Sequence, residues 1–504
     1  MRFIKPLLRI SLLFAVTGTT LALSSGSASA TDYNVAAGND TLSWPGDSSC
    51  SLSEAINNIS DGTNTYSDCP APTGDDRILL PAGTITLTAD VTYSSKPFSV
   101  IGAGRGSSII EGAGFARLFA LTLGSQSVAH SMEFKDFTAR NISRTSGSAC
   151  IYAADSSGST PDQDIAVSNV NLEDCGIYGI YTSLWGSSAS ISGVNIDSDD
   201  TNDTVGIFAL RIGSMVIQNS AITGHTLGIH TFQTPISPGN SSAIDTNIDI
   251  INSTFTSNRV GLSLNASNST NTGANITLDL KLYNNTIVGN NNNSSSGYWE
   301  SLGSSGILWA TGGNAAVSVD MKNNLIANNI FNNTLENCYA GTSQYTVNVT
   351  VVSTNNLSDD DCAGKFGPND FANASGATSN LDVLADNGGD VRTMALLIGS
   401  PAIDNGTTIG TISTDARGVP RLEFMFDIGA YEKTPANVPD PDPNPEDPDN
   451  PGPPDEIQNN TTPKPPRTGL LLGILMMIVS GLTLSILVSK EVIDVRHRTS
   501  KSVK

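Results

Sequence analysis

The residues best suited to chemistry in this 504-residue chain are few and widely spaced. A carboxylate pair, Asp199 and Asp200, stands in the polar segment DSDDTNDTVG. Arg211 follows in the run RIG, and His225 and His230 lie in TGHTLGIH. Paired carboxylates can protonate a leaving group and activate water in glycoside hydrolysis. Clustered acidic oxygens can hold calcium, and an imidazole can move a proton. Each pattern is incomplete here. The acidic segment lacks the glycine and terminal glutamate of a dedicated calcium loop, so it reads as a solvated turn. In LGIH the alternation that turns Ile229 inward turns His230 outward, to a surface or groove. No catalytic residue, metal site or cofactor is assigned on these residues.

The elements that would position them are strands. Between residues 80 and 430 helical periodicity is almost absent, and short Val, Ile and Leu runs are broken by Gly, Asn and Ser. One motif returns as VSNVNL at 167, ISGVNI at 191, VIQNSAI at 216, DIINSTF at 249, LYNNTIV at 282 and MKNNLIA at 321. A second follows the first several of these by a short turn, with glycines at Gly179, Gly206, Gly228, Gly261 and Gly306. Two strand motifs returning in the same order predict a coil with at least two strands per turn. Parallel stacking and the preference for right-handed crossovers make it an all-β, right-handed parallel β-helix, a rod of roughly 50 to 60 Å. An amide fixed at one phase of each coil can bond its equivalents above and below. The expected ladder is Asn169, Asn219, Asn252, Asn284 and Asn323.

Both ends suggest export. Residues 1–30 have the charged, apolar, small-residue order of a signal peptide, with Ala28 and Ala30 placed for cleavage before Thr31. The ordered body spans 31–433. Residues 434–466 are rich in Pro and Asp and read as a disordered, extended stalk. Residues 467–504 hold an uncharged apolar run at 470–488, long enough for a transmembrane helix, and a basic tail that the positive-inside rule keeps cytoplasmic. A net charge of −22 excludes a nucleic-acid partner. Six cysteines in an exported chain predict disulfides, and 15 connectivities are possible. Their sequence-local grouping favours Cys50 with Cys69, Cys150 with Cys175, and Cys338 with Cys362.

Coil ends need caps. In CSLSEAINNI, Ser51 and Glu54 form a capping box, and Leu52, Ala55, Ile56 and Ile59 line one face of a short N-terminal cap helix. CSLSEAI also resembles the CSLREA motif of bacterial surface β-helix proteins, with Ser53 in place of Arg. LADNGGDVRTMALLIGSPAIDNG and TDARGVPRLEFMFDIGAYE resemble the close of the choice-of-anchor Q domain. The resemblance implies a pectate-lyase-like fold on a surface-attached protein and no established catalytic site. PPRTG, just before the apolar run, resembles an LPxTG-type sorting signal with Pro465 at the usual Leu. Pro466, Thr468 and Gly469 match its remaining positions. That implies a sortase partner and a cell-wall link, with simple membrane retention as the rival.

Two functional classes remain open. An enzyme on extracellular polysaccharide would need the polygalacturonase order of NTD, a DD pair, GHG and RIK, but here the order differs and two motifs are broken. The favoured expectation is a non-catalytic, anchored rod for adhesion or for binding a glycan or host surface. Variable loops around 235–247, 291–304 and 336–350 would vary its contacts, and Tyr298, Trp299 and Trp309 are the rings that could stack on sugars.

Overall fold

The computed structural model describes residues 30–42, 47–88, 94–112, 117–123, 130–155, 163–199, 203–233, 244–267, 276–293, 305–312, 315–340, 348–378, 380–422 and 426–434. Residues 1–29 and 435–504, which hold nearly all of the expected leader and stalk, the expected sorting residues Pro466, Thr468 and Gly469, the apolar run and the basic tail, lie outside the described residues. Among the described residues no helix is long and apolar enough to cross a membrane.

The chain returns again and again through three strand positions. A long strand, a two-residue turn and a short strand belong to one 20-stranded sheet, and the third strand joins a separate 8-stranded sheet. Neighbours are parallel and in register, as where Ile248, Leu280 and Val319 stand opposite one another. The second sheet repeats this with Ile229, Leu262 and Ile307. The protein is therefore an all-β parallel β-helix. Alternation along the long strands sends Val167, Ile191, Ile217, Ile250, Leu282 and Met321 into one buried column. Apolar burial of this kind stabilises by about 25 cal/mol per Å² and supplies the main drive for coiling.

The turn explains the doubled amides. Its first residue is left-handed: φ is 49° at Asn219 and Asn252, 55° at Asn284 and 56° at Asn323, with Gly193 at 65° in the same position. Asn tolerates this region better than other residues with a Cβ. Its side chain points out of the coil, and the next residue points in. The expected outward ladder forms in part: Asn252 Nδ2 donates to Asn219 Oδ1 at 3.2 Å and Asn323 to Asn284 at 2.9 Å, whereas Asn169 turns to Asp136 at 2.6 Å.

The continuous chain of amides runs inside. Asn285 Nδ2 donates to Asn324 Oδ1 at 3.0 Å, Asn324 to Asn356 at 2.8 Å, and Asn356 to the Asp370 carboxylate at 2.9 Å. Each Oδ1 also accepts the backbone N–H of the preceding rung. A second internal ladder joins Asn258, Asn290, Asn329 and Asn337 at 3.1, 2.8 and 2.8 Å. These amides are fully or almost fully buried, and the ladders satisfy groups that would otherwise be costly to desolvate.

The repeated glycines answer to close approach. A Cβ on Gly206 would stand 2.6 Å from the Gly228 carbonyl oxygen, and one on Gly228 would stand 2.5 Å from that of Gly261. Disulfides join Cys50 to Cys69, Cys150 to Cys175, and Cys338 to Cys362. The cap helix is Leu52–Asp61, with both halves of its capping box formed and Leu52, Ala55, Ile56 and Ile59 buried. Trp309 is fully buried in the main core, which removes it from the candidate sugar-stacking rings; its strand alternates inward at that position. Tyr298 and Trp299 lie outside the described residues.

Candidate functional site

The chemistry-bearing residues do not converge. Asp199 is exposed beyond the short strand Asn195–Asp197, where its backbone N–H donates to Asp174 Oδ1 at 2.8 Å. Asp200 is outside the described residues. Arg211 follows a strand of the second sheet, Val205–Leu210, with φ 57°. His225 is buried inside the coil at the head of the second amide ladder, where its N–H donates to Asn258 Oδ1 at 3.0 Å. Burial pushes its imidazole down to about 4, against the pull of the Ile196 carbonyl.

Register, not sequence, brings two other carboxylates side by side. Glu173 and Asp197 are outward neighbours on adjacent coils, and Arg140 stands opposite Glu173 on the other side. Adjacent strands lie about 4.8 Å apart, close to the carboxyl spacing of retaining glycosidases. Burial raises the pKa of both acids; the Asp197 charge adds to the rise at Glu173, while at Asp197 the Arg392 guanidinium pulls down against Asp174 and Asp199. Yet the Arg392 guanidinium is bonded to Asp197, and Arg140 lowers Glu173, so cations already occupy this column. It is an acidic pair flanked by an arginine on each side, which holds coils and C-terminal segment together.

That segment is the most elaborated polar region among the described residues. Residues 387–422 and 426–433 pass along the outside of the turns and use the outward amides as docking points. Asn195 Oδ1 accepts from Arg392 N at 3.1 Å, Asn252 Nδ2 donates to Thr414 O at 2.9 Å, and Asn355 Nδ2 donates to Asn405 O at 2.9 Å. Asn323 makes a reciprocal pair with Thr407, donating to its O at 2.7 Å and accepting from its N at 2.8 Å. At the other end of the column, Arg105 Nε donates to Asn169 Oδ1 at 2.8 Å and its guanidinium also reaches the Asp390 carbonyl. Beneath the segment lies a second apolar core that includes Leu325, Leu357, Leu396 and Ile428.

The segment locks itself with two buried ion pairs, Arg417 with Asp415 at 2.9 Å and Arg421 with Glu432 at 3.0 Å. Arg417 also donates to the Glu432 carbonyl at 2.7 Å and lies 3.7 Å over the Tyr431 ring. Arg421 donates to the Gly429 carbonyl at 2.8 Å and to Asn252 Oδ1 at 3.1 Å. Burial, and then Asp427, push the Glu432 carboxyl up to about 7 against the pull of Arg421. The charged residues of TDARGVPR and DIGAYE are thereby used in a clasp. Sequence reading marked these segments only through their resemblance to the close of the choice-of-anchor Q domain, and neither the ion pairs nor the coil residues that receive them could be read from it.

The second sheet carries an outward aromatic column. Tyr152 and Tyr181 stack at 4.5 Å and 7°, and Tyr181 and Phe208 at 5.1 Å and 5°. His230 continues it at 5.2 Å from Phe208, tilted by 47°, and Arg117 covers Tyr152 at 4.7 Å. Sequence reading placed His230 outward, and it does stand in this outward column, but it is only 7% exposed and its Nδ1 lies 3.1 Å from Ser263 Oγ. The ring faces are consumed by one another, so the column offers edges along its length. Phe232, at its end, is 36% exposed.

In comparisons with family models, curated proteins and solved structures, none matches this chain.

Proposed function

We propose that the protein is a non-catalytic rod, anchored at the cell surface through its C-terminus, that acts in adhesion by binding a glycan or another surface. The observation that carries this reading is the clasp. The last described residues are tied by buried ion pairs to one another and by Arg421 to the coil, so tension on the C-terminus would be spread over several turns. Such a joint suits a body held by a tether. The resemblances to CSLREA-bearing and choice-of-anchor Q proteins support the same reading, and Pro466, Thr468 and Gly469 would then serve a sortase, with the run at 470–488 holding the chain in the membrane until transfer.

The contact surface proposed is the aromatic edge from Tyr152 to Phe208 with the exposed Phe232. Net charge of −22 favours a neutral ligand over an anionic one. The test incubates the purified body, Thr31 to Lys433, with a glycan and cell-surface array and, separately, with a polysaccharide panel plus calcium. Saturable binding weakened by Phe232→Ala supports the proposal. Unsaturated or reducing-end products would replace it with a polysaccharide lyase or glycoside hydrolase. A mature protein from wall extracts that still ends at Lys504 would remove the sorting step.

A further inference from the structure

The first coil leaves a partly open cavity of about 180 Å³ that reaches Ala30, the residue before Thr31, with Gly74, Asp75, Asp76, Arg77 and His130 also in its lining. Thr31 is held in place before the first strand begins. Its carbonyl accepts from Arg77 N at 2.8 Å, and its hydroxyl lies 2.9 Å from that of Thr73. The register of Asp32 with Arg77 puts Thr31 next to Asp76. Asp76 is 3% exposed, and its carboxylate accepts from Thr73 N at 2.9 Å and Gly74 N at 3.3 Å. A carboxylate has about four acceptor positions, so these bonds leave room for another donor.

The charges facing this cavity leave it acidic. Asp75 lies 3.5 Å from His130 Nδ1 and is largely exposed. Arg77 is paired with Asp32 at 2.7 Å, both half-exposed, and so does not neutralise Asp76. Burial, and then Asp76, raise the pKa of the Tyr33 hydroxyl, which keeps it neutral. A small cation is the complementary ligand.

The chain supplies one. Cleavage after Ala30 is a hydrolysis: water gives its hydroxyl to the Ala30 carbonyl, which leaves as a carboxylate, while the Thr31 nitrogen keeps the electron pair of the broken bond and takes up protons. The geometry points to the resulting α-ammonium of Thr31 as the ligand of this cavity, held by the carboxylates of Asp76 and Asp75. The inference rests on the reading of residues 1–30 as a removable leader. Processing then completes the first coil, because the new terminus is charged where the fold is acidic.

The test uses the exported full-length gene product, wild type and with Asp75→Asn or Asp76→Asn. The first residue is identified by sequencing, and the rate of α-amine acylation is followed against pH by mass spectrometry. A free amine has a pKa of about 7.7–8.0, and pairing should raise it by about one unit, slowing acylation at pH 7.5 roughly sevenfold. Asp75→Asn is expected to recover part of that rate, and Asp76→Asn most of it where the chain still folds. A first residue other than Thr31 overturns the leader reading on which the seat depends. Thr31 in first place with an ordinary amine, unchanged by Asp75→Asn, overturns the seat alone.

Discussion

Arg421 Nη2 donates to Asn252 Oδ1 at 3.1 Å, a bond between residues 169 positions apart that fixes the C-terminal clasp to a turn of the coil. The same guanidinium balances Glu432 in a buried pair. Arg421→Met should therefore cost about 3–5 kcal/mol, because it leaves a buried carboxylate without its cation. Adding Glu432→Leu should recover part of the loss. Urea unfolding of the three proteins checks this, and the single variant should also be cut sooner by protease within 405–433.

Two adjacent asparagines should respond unequally. Asn284→Gly keeps a residue suited to φ 55° and loses one outward contact, so it should cost no more than about 1 kcal/mol. Asn285→Ala removes the amide that accepts from Ser253 N and donates to Asn324, leaving buried groups unpaired at about 2–3 kcal/mol. Equal effects in denaturant titration would contradict the assignment of the ladder to the inner residue.

A methyl group should be tolerated by some glycines and not by the column glycines. Gly206→Ala sets a Cβ 2.6 Å from a backbone oxygen of the next coil, where backbone must move. A loss of about 2–4 kcal/mol is expected, with reduced yield of folded protein. Gly410→Ala meets nothing within 4 Å and should leave the melting temperature within a degree or two.

The parts of this fold legible in sequence are those that geometry forces once per coil. A left-handed turn residue and a close-approach glycine each leave a residue type behind, so Asn219, Asn252, Gly206 and Gly228 marked the period. The distinction between Asn284 and Asn285 was not legible, since both are the same residue and only the two-residue turn separates outward from inward. Contacts made through coil register or across long separations left no local trace. Glu173 meets Asp197, and Arg421 meets Asn252, only after the coil has formed. Trp309 lies two residues after the inward Ile307 on one strand, so alternation alone sends it to the core, where isolated aromatics of a solenoid more often pack than bind.

Acid should weaken the rod before any surface charge does. His225 and His230 are both buried, and burial pushes each imidazole down to about 4 from an ordinary 6.5. The folded state thus binds their protons more weakly than the unfolded chain. Their contribution is whole above pH 6.5 and is lost as pH falls from there toward 4, at about 3 kcal/mol for each residue. His225 occupies the rung that Asn258, Asn290 and Asn329 fill in later coils, receiving the same kind of backbone register. His225→Asn should extend that ladder by one amide and remove about half of the acid sensitivity, whereas His230→Asn should remove a similar share at the expense of the aromatic column. Melting temperatures measured from pH 7.5 to pH 4.0 decide the matter: if the wild type and His225→Asn fall in parallel, the buried imidazole is not what makes the rod acid-labile.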